Sequence, residues 1–186
     1  MSTRRVKIVL LCEDSQHEAF IRRFLKGMGY NTRELRVEKS PSGRGAADQY
    51  VRNTFPKELE AYRHRRHRAA SALIAMVDAD GNEVQGRISE LKQECQSEGV
   101  LFRGPDEAVA IAVPKRNIET WIHYLKAEQV NETDVYSKLD IERGCKPAVI
   151  KLLHLCKSTG LEEDAPPALV TACGEYNTRI KPCMQQ

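Results

Sequence analysis

The sequence predicts an α/β protein with a mostly parallel four-stranded sheet, helices on both faces of the sheet and a helical C-terminal extension. Four short apolar segments alternate with longer segments in which apolar residues recur at helical spacing. This alternation is typical of parallel strands joined by helical crossovers. Beyond about residue 126 the helical spacing continues but strand patterns stop. We therefore expect an α/β domain over residues 1–125 and a helical extension over 126–186, packed together as one structural unit.

The first strand, helix and second strand are predicted close to the N-terminus. The run "VKIVLL" (6–11) is apolar throughout, as in a strand buried on both faces. Ser15 is the predicted N-cap of the following helix, with Glu18 as its capping-box partner. The segment "TRELRVE" (32–38) alternates polar and apolar residues and predicts an edge strand. The apolar face of the helix between these strands consists of Phe20, Ile21, Phe24, Leu25 and Met28.

The middle of the chain contains the most apolar strand pattern. A loop rich in Pro and Gly precedes a helix that starts near Ala46. Pro56 predicts a break in that helix, so a second helix is expected over about 56–68. The segment "SALIAMV" (71–77) is the predicted third strand, and an amphipathic helix follows it. The apolar positions of that helix are Val84, Ile88, Leu91 and Cys95.

The remaining elements are a fourth strand and three helices. "AVAIAV" (108–113) is the predicted strand, and "NIETWIHYL" (117–125) is the helix after it. Two further helices are expected in the C-terminal extension. Their apolar positions are Val149, Leu152, Leu153 and Cys156 in one, and Leu169, Val170, Cys173, Tyr176 and Ile180 in the other.

Length and composition indicate a globular protein. The 186 residues are 41% hydrophobic and 30% charged, with a net charge of +3, and no apolar stretch approaches the roughly 20 residues that span a bilayer. The N-terminal apolar segment Ile8–Cys12 is too short for a signal peptide, so we expect a cytoplasmic protein that does not enter membranes. The six cysteines are expected to be reduced, and a zinc site fits no common ligand spacing. The residues considered for zinc are Cys145, His154, Cys156 and Cys173.

Acidic residues follow three of the four predicted strands. Glu13 follows the first strand, Asp78 and Asp80 follow the third, and Glu119 lies in the helix after the fourth. The carboxyl ends of parallel strands meet at one edge of a sheet, so these side chains are expected to be neighbours. In an extended backbone Asp78 and Asp80 would point to the same side. Such a group of carboxylates is suited to a hard cation such as Mg²⁺ or Mn²⁺.

Each acidic residue also has an ordinary structural interpretation. The pair Asp78 and Asp80, followed by glycine, is common in turns. Glu13 and Glu119 would each complement the dipole of the helix that follows, and Glu18 suits a capping box. His17 is expected to be structural or exposed to solvent. The metal interpretation therefore depends on all the acids lying at the same end of the sheet.

The alternation of four strands with helices and the acidic motifs at the strand ends resemble those of the Toprim domain over roughly residues 5–125. "VLLCEDSQHEAF" is similar to the nuclease version, in which one Glu ends the first strand and a second lies five residues on, here Glu13 and Glu18. "MVDADGNEV" corresponds to the Asp-x-Asp motif with Asp78 and Asp80. "VPKRNIETWIHYL" resembles the segment after the last strand of small stand-alone members. The resemblance implies a Toprim/Rossmann-like fold and Mg²⁺- or Mn²⁺-dependent nuclease chemistry.

Under this interpretation the metal ligands are Glu13, Asp78 and Asp80. The residues that take part in catalysis are Glu13, Lys115 and Glu119. Glu18 is a possible accessory acid. Bound metal ions would activate water for in-line displacement at phosphorus, while Lys115 would offset charge on the phosphate. A solvated loop lysine explains Lys115 equally well. Small relatives also imply an anti-phage defence role beside an ATPase partner.

The sequence departs from the family pattern in two ways, of which the first favours a different function and the second disfavours a topoisomerase. Asp14 stands where family members usually carry Gly after the first Glu. The Asp-Pro-Asp form of topoisomerases is also absent. The alternative is a non-catalytic Toprim-like subunit that binds a partner ATPase or nucleic acid. A phosphatase of the haloacid dehalogenase type is disfavoured, because that family places its Asp pair after the first strand.

A basic cluster supports binding of DNA or RNA. The segment "YRHRRHR" (62–68) contains four arginines and two histidines, and Arg44 lies in a glycine-rich loop. Such side chains are suited to contacts with phosphates. An arginine-rich helix end is also favourable for the helix dipole. The candidate nucleic-acid-binding residues are Arg44, Arg63, Arg65, Arg66 and Arg68.

Overall fold

The computed structural model of the chain describes residues 6–41, 46–157 and 160–184, and its centre is a parallel four-stranded sheet. The strands lie in the order β2-β1-β3-β4, and all three pairings are parallel. The predicted α/β class is confirmed. The strands are β1 (Lys7–Cys12), β2 (Leu35–Lys39), β3 (Ser71–Met76) and β4 (Val109–Ala112).

In the described parts of the chain, six α-helices cover the sheet. They are α1 (Ser15–Gly27), α2 (Ala47–Arg66), α3 (Val84–Ser97), α4 (Ile118–Leu125), α5 (Lys146–Lys157) and α6 (Pro167–Glu175). Helices α2 and α3 pack on each other and α2 contacts β1 and β3, whereas α1 packs on α5, α5 on α4 and α6 on β4. The strands β1 and β3 are therefore buried from both sides, which explains their uninterrupted apolar sequences.

The predicted break at Pro56 is wrong. Helix α2 continues from Ala47 to Arg66 with Pro56 inside it. Val51, Phe55 and Leu59 on either side of the proline are all fully buried. Their burial on the sheet holds the helix together across the missing backbone hydrogen bond, although an interior proline costs about 3 kcal/mol or more.

Two other local predictions need correction. The strand β2 starts at Leu35, because Thr32–Glu34 form a 3₁₀ turn. The N-cap of α1 is Asp14 and not Ser15, because the Asp14 side chain accepts the backbone N–H of His17 at 2.9 Å. Glu18 is therefore not in a capping box.

The C-terminal part adds its helices to the same core. Ala148, Val149, Leu152 and Leu169 are buried in one cluster with Phe20, Phe24 and Trp121. No strand occurs beyond β4 in the described residues. After α6 the chain continues as a π-helical segment over Tyr176–Ile180. Among the described helices, none has the length and apolar composition needed to cross a membrane.

An ion pair between the segment before β4 and the C-terminal part covers the free edge of β4. Arg103 and Glu175 form a two-pronged salt bridge. Glu175 accepts the backbone N–H of Ile111 at 2.9 Å, and Arg103 donates to the carbonyl of Val109 at 2.7 Å. These contacts satisfy backbone groups that a fifth strand would otherwise bond.

Candidate active site

The carboxyl ends of β1 and β3 form the point at which the sheet reverses its direction of growth. From β1 the chain proceeds to β2 on one side, and from β3 it proceeds to β4 on the other. In open α/β sheets, ligands bind in the crevice outside such a switch point. Glu13 directly follows β1, and Asp78 lies two residues after β3. The fold therefore places the predicted acids at the usual position of an α/β binding site.

Glu13 and Asp78 are in direct contact across this crevice. The carboxylate of Glu13 accepts a hydrogen bond from the backbone N–H of Asp78. Burial raises the pKa of Glu13 to about 7, and the negative charge of Asp78 contributes to the rise. The expected meeting of acids from β1 and β3 is thus present. The crevice also has an excess of negative charge.

His17 is a site residue that the sequence analysis did not identify as one. Its side chain is completely buried, and its Nε2 lies 3.1 Å from Oδ1 of Asp78. Burial opposes a positive charge on the ring, but the charge of Asp78 outweighs this effect and raises the pKa of His17 to about 9. Asp78 is therefore held in an ion pair by the first turn of α1. In the sequence, the only indication of this contact is that His17 follows Glu13, the acidic residue after the first strand, by four positions.

Asp80 differs from the prediction in its backbone. Its φ is +53° and that of Gly81 is +87°, so the segment turns in the left-handed region and is not extended. Asp80 Oδ2 lies 3.4 Å from Nη2 of Arg87, while Asp78 contacts His17. Burial raises the pKa of Asp80, as does the neighbouring charge of Asp78. The turn interpretation of this motif was correct for the backbone, although the two charges still interact.

Glu119 lies on the same side of the sheet as the other acids. It is only 3% exposed, and burial together with the charges of Asp78 and Asp14 raises its pKa. It borders a surface pocket of about 250 Å³ that Asp14 and Lys138 also line. Glu119 is therefore not a solvent-facing residue of α4, and its side chain borders the pocket beside Asp14.

Glu18 and Lys115 have partners of their own. Glu18 pairs with Arg22 at 3.0 Å and with Lys39 at 3.1 Å, and its pKa is lowered because these hydrogen bonds and charges outweigh burial. Lys115 Nζ lies 3.2 Å from Glu83. Glu18 is thus held on the β2 side of α1, while Lys115 lies near the turn that carries Asp80.

The donor chemistry of the crevice suits a hard cation, but the side chains do not yet surround one point. Carboxylate oxygens are the ligands that Mg²⁺ prefers. The pKa values of Glu13, Asp80 and Glu119 are raised, chiefly by burial and also by the negative charge of Asp78. Across residues 6–41, 46–157 and 160–184, no three His, Cys, Asp or Glu side chains are placed to hold a metal ion. This also applies to the cysteine-rich zinc set, in which Cys156 and Cys173 lie 3.7 Å apart as free thiols.

The basic cluster lies at the opposite ends of the strands from the acidic residues. Helix α2 ends at Arg66, just before β3 begins, so the cluster is near the amino ends of the strands. Arg63 forms two hydrogen bonds with Glu107, and Arg66 pairs with Asp106 and Glu107. Arg65 and Arg68 lie beside Lys7, the first residue of β1. Arg44 lies outside the described residues.

The fold and site thus define an open, doubly wound α/β protein with an acidic switch point. A scan against family models finds no match to the chain. Searches of curated proteins and of solved structures also find none.

Proposed function

We propose that this protein is a metal-dependent nuclease of the Toprim type that cleaves phosphodiester bonds in DNA or RNA. The observation that carries the proposal is the meeting of Glu13 and Asp78 between β1 and β3, at the switch point of the sheet. Asp80 and Glu119 add further carboxyl groups at the same ends of the strands, and Asp78 influences the pKa of both. A role as an anti-phage effector in the cytoplasm, beside an ATPase, belongs to this proposal.

Glu13, Asp78 and Asp80 would hold Mg²⁺ or Mn²⁺. When bound, the metal would supply an activated water and offset charge on the phosphate. His17 fixes the position of Asp78 from inside the core. Glu119 faces the adjoining pocket, where its buried carboxyl is suited to hold a proton. Lys115 contributes a positive charge near the Asp80 turn.

The test compares Asp78→Asn with a matched control, Glu98→Gln, which alters an exposed acid at the end of α3. Cleavage of labelled DNA and RNA is measured with Mg²⁺, with Mn²⁺ and with EDTA, and Mn²⁺ binding is measured by calorimetry. We expect Asp78→Asn to lose at least about 10²-fold in cleavage rate and to bind Mn²⁺ more weakly, while Glu98→Gln matches the wild type. Equal Mn²⁺ binding by all three proteins would remove Asp78 from the site.

A non-catalytic subunit that binds an ATPase or nucleic acid is the second candidate. It is favoured by the contacts that the acids already make within the protein: Asp78 pairs with His17, and Glu13 accepts a hydrogen bond from the Asp78 backbone N–H. Asp14, which departs from the family pattern, serves as the N-cap of α1. This candidate predicts no cleavage with any metal by a protein that still binds its partner.

A further inference from the structure

The arginines at the end of α2 fall into two groups with different partners. Arg63 and Arg66 are neutralised by Glu107 and Asp106, and Arg63 also donates to the carbonyls of Leu101 and Phe102. These two arginines join α2 to the segment before β4. In the described part of the chain, neither Arg65 nor Arg68 forms an ion pair with Glu107 or Asp106, and the only carboxylate near Arg65 is Glu58 at 3.9 Å. The basic motif therefore contains two arginines that join α2 to the segment before β4, namely Arg63 and Arg66. The other two, Arg65 and Arg68, do not take part in this contact.

The second group lines a surface pocket of about 390 Å³ at the amino edge of the sheet. Its walls consist of Lys7, His64, Arg65, Arg68 and Ala69, and no carboxylate is among them. Within residues 6–41, 46–157 and 160–184, the side chains of Lys7, His64 and Arg68 form no ion pair. Positive charge from β1, from α2 and from the loop before β3 is thus collected around one concave space.

Arg65 is the least satisfied member of the pocket. Its Nε and Nη2 atoms are buried and have no hydrogen-bond partner among the described residues. Its nearest carboxylate, Glu58, is 3.9 Å away and is already hydrogen-bonded by Arg36. Burial lowers the pKa of Arg65, and although Glu58 acts in the opposite direction, the charge of Arg36 adds to the lowering. Unmade hydrogen bonds from a guanidinium are costly, so an anion would compensate a real deficit.

A solvated helix end does not account for these features. Positive side chains near a helix C-terminus are favourable in general, and this explains exposed residues such as His64 and Arg68. It does not explain the Nε and Nη2 atoms of Arg65, which are buried and have no hydrogen bond among the described residues. A phosphate has several strong acceptor oxygens, and the planar guanidinium matches their geometry with two parallel hydrogen bonds.

We propose that the pocket formed by Lys7, His64, Arg65 and Arg68 binds a phosphate group, carried either by a nucleic acid or by a small phosphate ester. This proposal goes beyond the nuclease function and does not depend on it. Along β1 the distance from Lys7 to Glu13 is about 20 Å at roughly 3.3 Å per residue. The pocket and the acidic crevice are therefore separate sites, one at the amino ends and one at the carboxyl ends of the strands.

The test uses Arg65→Gln/Arg68→Gln, with Lys92→Gln/Lys146→Gln as a control that removes the same charge from two exposed positions. Arg68→Gln alone is a second variant, because an exposed side chain without contacts is not needed for folding. Binding is measured in EDTA, so that cleavage plays no part. The probes are a labelled single-stranded oligonucleotide, followed by anisotropy at several NaCl concentrations, and inorganic phosphate, followed by calorimetry.

If the phosphate belongs to a nucleic acid, the double variant should bind the oligonucleotide more weakly and its salt slope should fall by about 1.4, roughly 0.7 for each arginine. If a small ester is the ligand, inorganic phosphate should bind the wild type and not the double variant. Arg68→Gln should show part of either loss. The proposal is overturned if the double variant equals the wild type with both probes, or if the lysine control loses as much. Asp78→Asn should retain full binding, which separates this site from the nuclease proposal.

Discussion

Glu119 shows how burial of a single side chain separates two interpretations. A carboxylate that only complements a helix dipole is usually exposed, and its contribution is about 0.3–1 kcal/mol. Glu119 is instead only 3% exposed, and its pKa is raised by burial and by the negative charges of Asp78 and Asp14. Because the buried position disfavours its charged form, the neutral Glu119→Gln variant should fold with undiminished stability. We expect it to cleave nucleic acid about 10²-fold more slowly than the wild type.

The measurement is single-turnover cleavage alongside thermal unfolding. Thr120→Ser, at the next position of α4, is a control for small changes in this buried turn. Cleavage by Glu119→Gln at the wild-type rate would restrict this residue to a structural role.

Glu13 should make stability depend on pH. Its pKa of about 7 in the folded protein lies above the ordinary value of 4.5, so the folded state holds a proton that the unfolded chain has already lost. Its protonation therefore favours the fold below about pH 4.5, and this contribution is lost as the pH rises through about 7. In EDTA, the free energy of unfolding from urea titrations should fall over this range by up to about 3 kcal/mol.

The variant Glu13→Gln carries no titrating group at this position and should flatten that part of the pH profile. His17 contributes a separate decline between its ordinary value of 6.5 and about 9, which Glu13→Gln should retain. A wild-type profile that is level between pH 4.5 and 7 would contradict the predicted state of Glu13.

At the scale of elements, the arginines at the end of α2 should differ in how much they contribute to the free energy of unfolding. Glu107 is buried, and its carboxylate depends on Arg63 and Arg66 and on the Gly104 N–H. Removing Arg63 leaves that charge with fewer partners, so Arg63→Ala should reduce the free energy of unfolding by about 2–4 kcal/mol. Arg68→Ala, in the same turn region, should change it by less than about 0.5 kcal/mol. Urea titrations of both variants measure this difference, and equal losses would show that the two arginines are not distinct.

The elements that sequence alone predicted are those determined by local pattern. The apolar runs at 71–77 and 108–113 became β3 and β4 within one or two residues, because burial on both faces requires uninterrupted apolar sequence. Pro56 misled the prediction because its local cost is outweighed by long-range burial of Phe55 and Leu59. Local pattern does not encode such compensation.

The sequence was sufficient to predict where in the fold the candidate site lies, but not how its side chains are arranged. Placing Glu13 beside Asp78 required only the rule that parallel strands end at one edge. The pairing of His17 with Asp78 spans 61 residues, and the left-handed backbone of Asp80 depends on its turn. Neither feature has a distinct sequence pattern, so both needed the three-dimensional structure.

At the scale of the whole molecule, the C-terminal part completes the core. Leu152, Leu169 and Ile180 are buried against the same cluster as Phe24 and Trp121. A chain ending at residue 125 would expose this surface to water. We expect the fragment 1–125 to show no cooperative thermal unfolding, whereas the full chain unfolds in one transition. Circular dichroism and calorimetry test this, and a cooperative transition in the fragment would show that the α/β domain folds alone.

The ion pair of Arg103 and Glu175 has a consequence for the newly made chain. Glu175 lies 63 residues after the end of β4 at Ala112 (175 − 112), so β4 emerges from the ribosome long before the carboxylate that covers its edge. Until then the backbone N–H of Ile111 lacks the Glu175 carboxylate that accepts its hydrogen bond, and the edge of β4 is a template to which strands of other chains can pair. We therefore expect nascent chains to be most prone to aggregate before α6 has docked on β4.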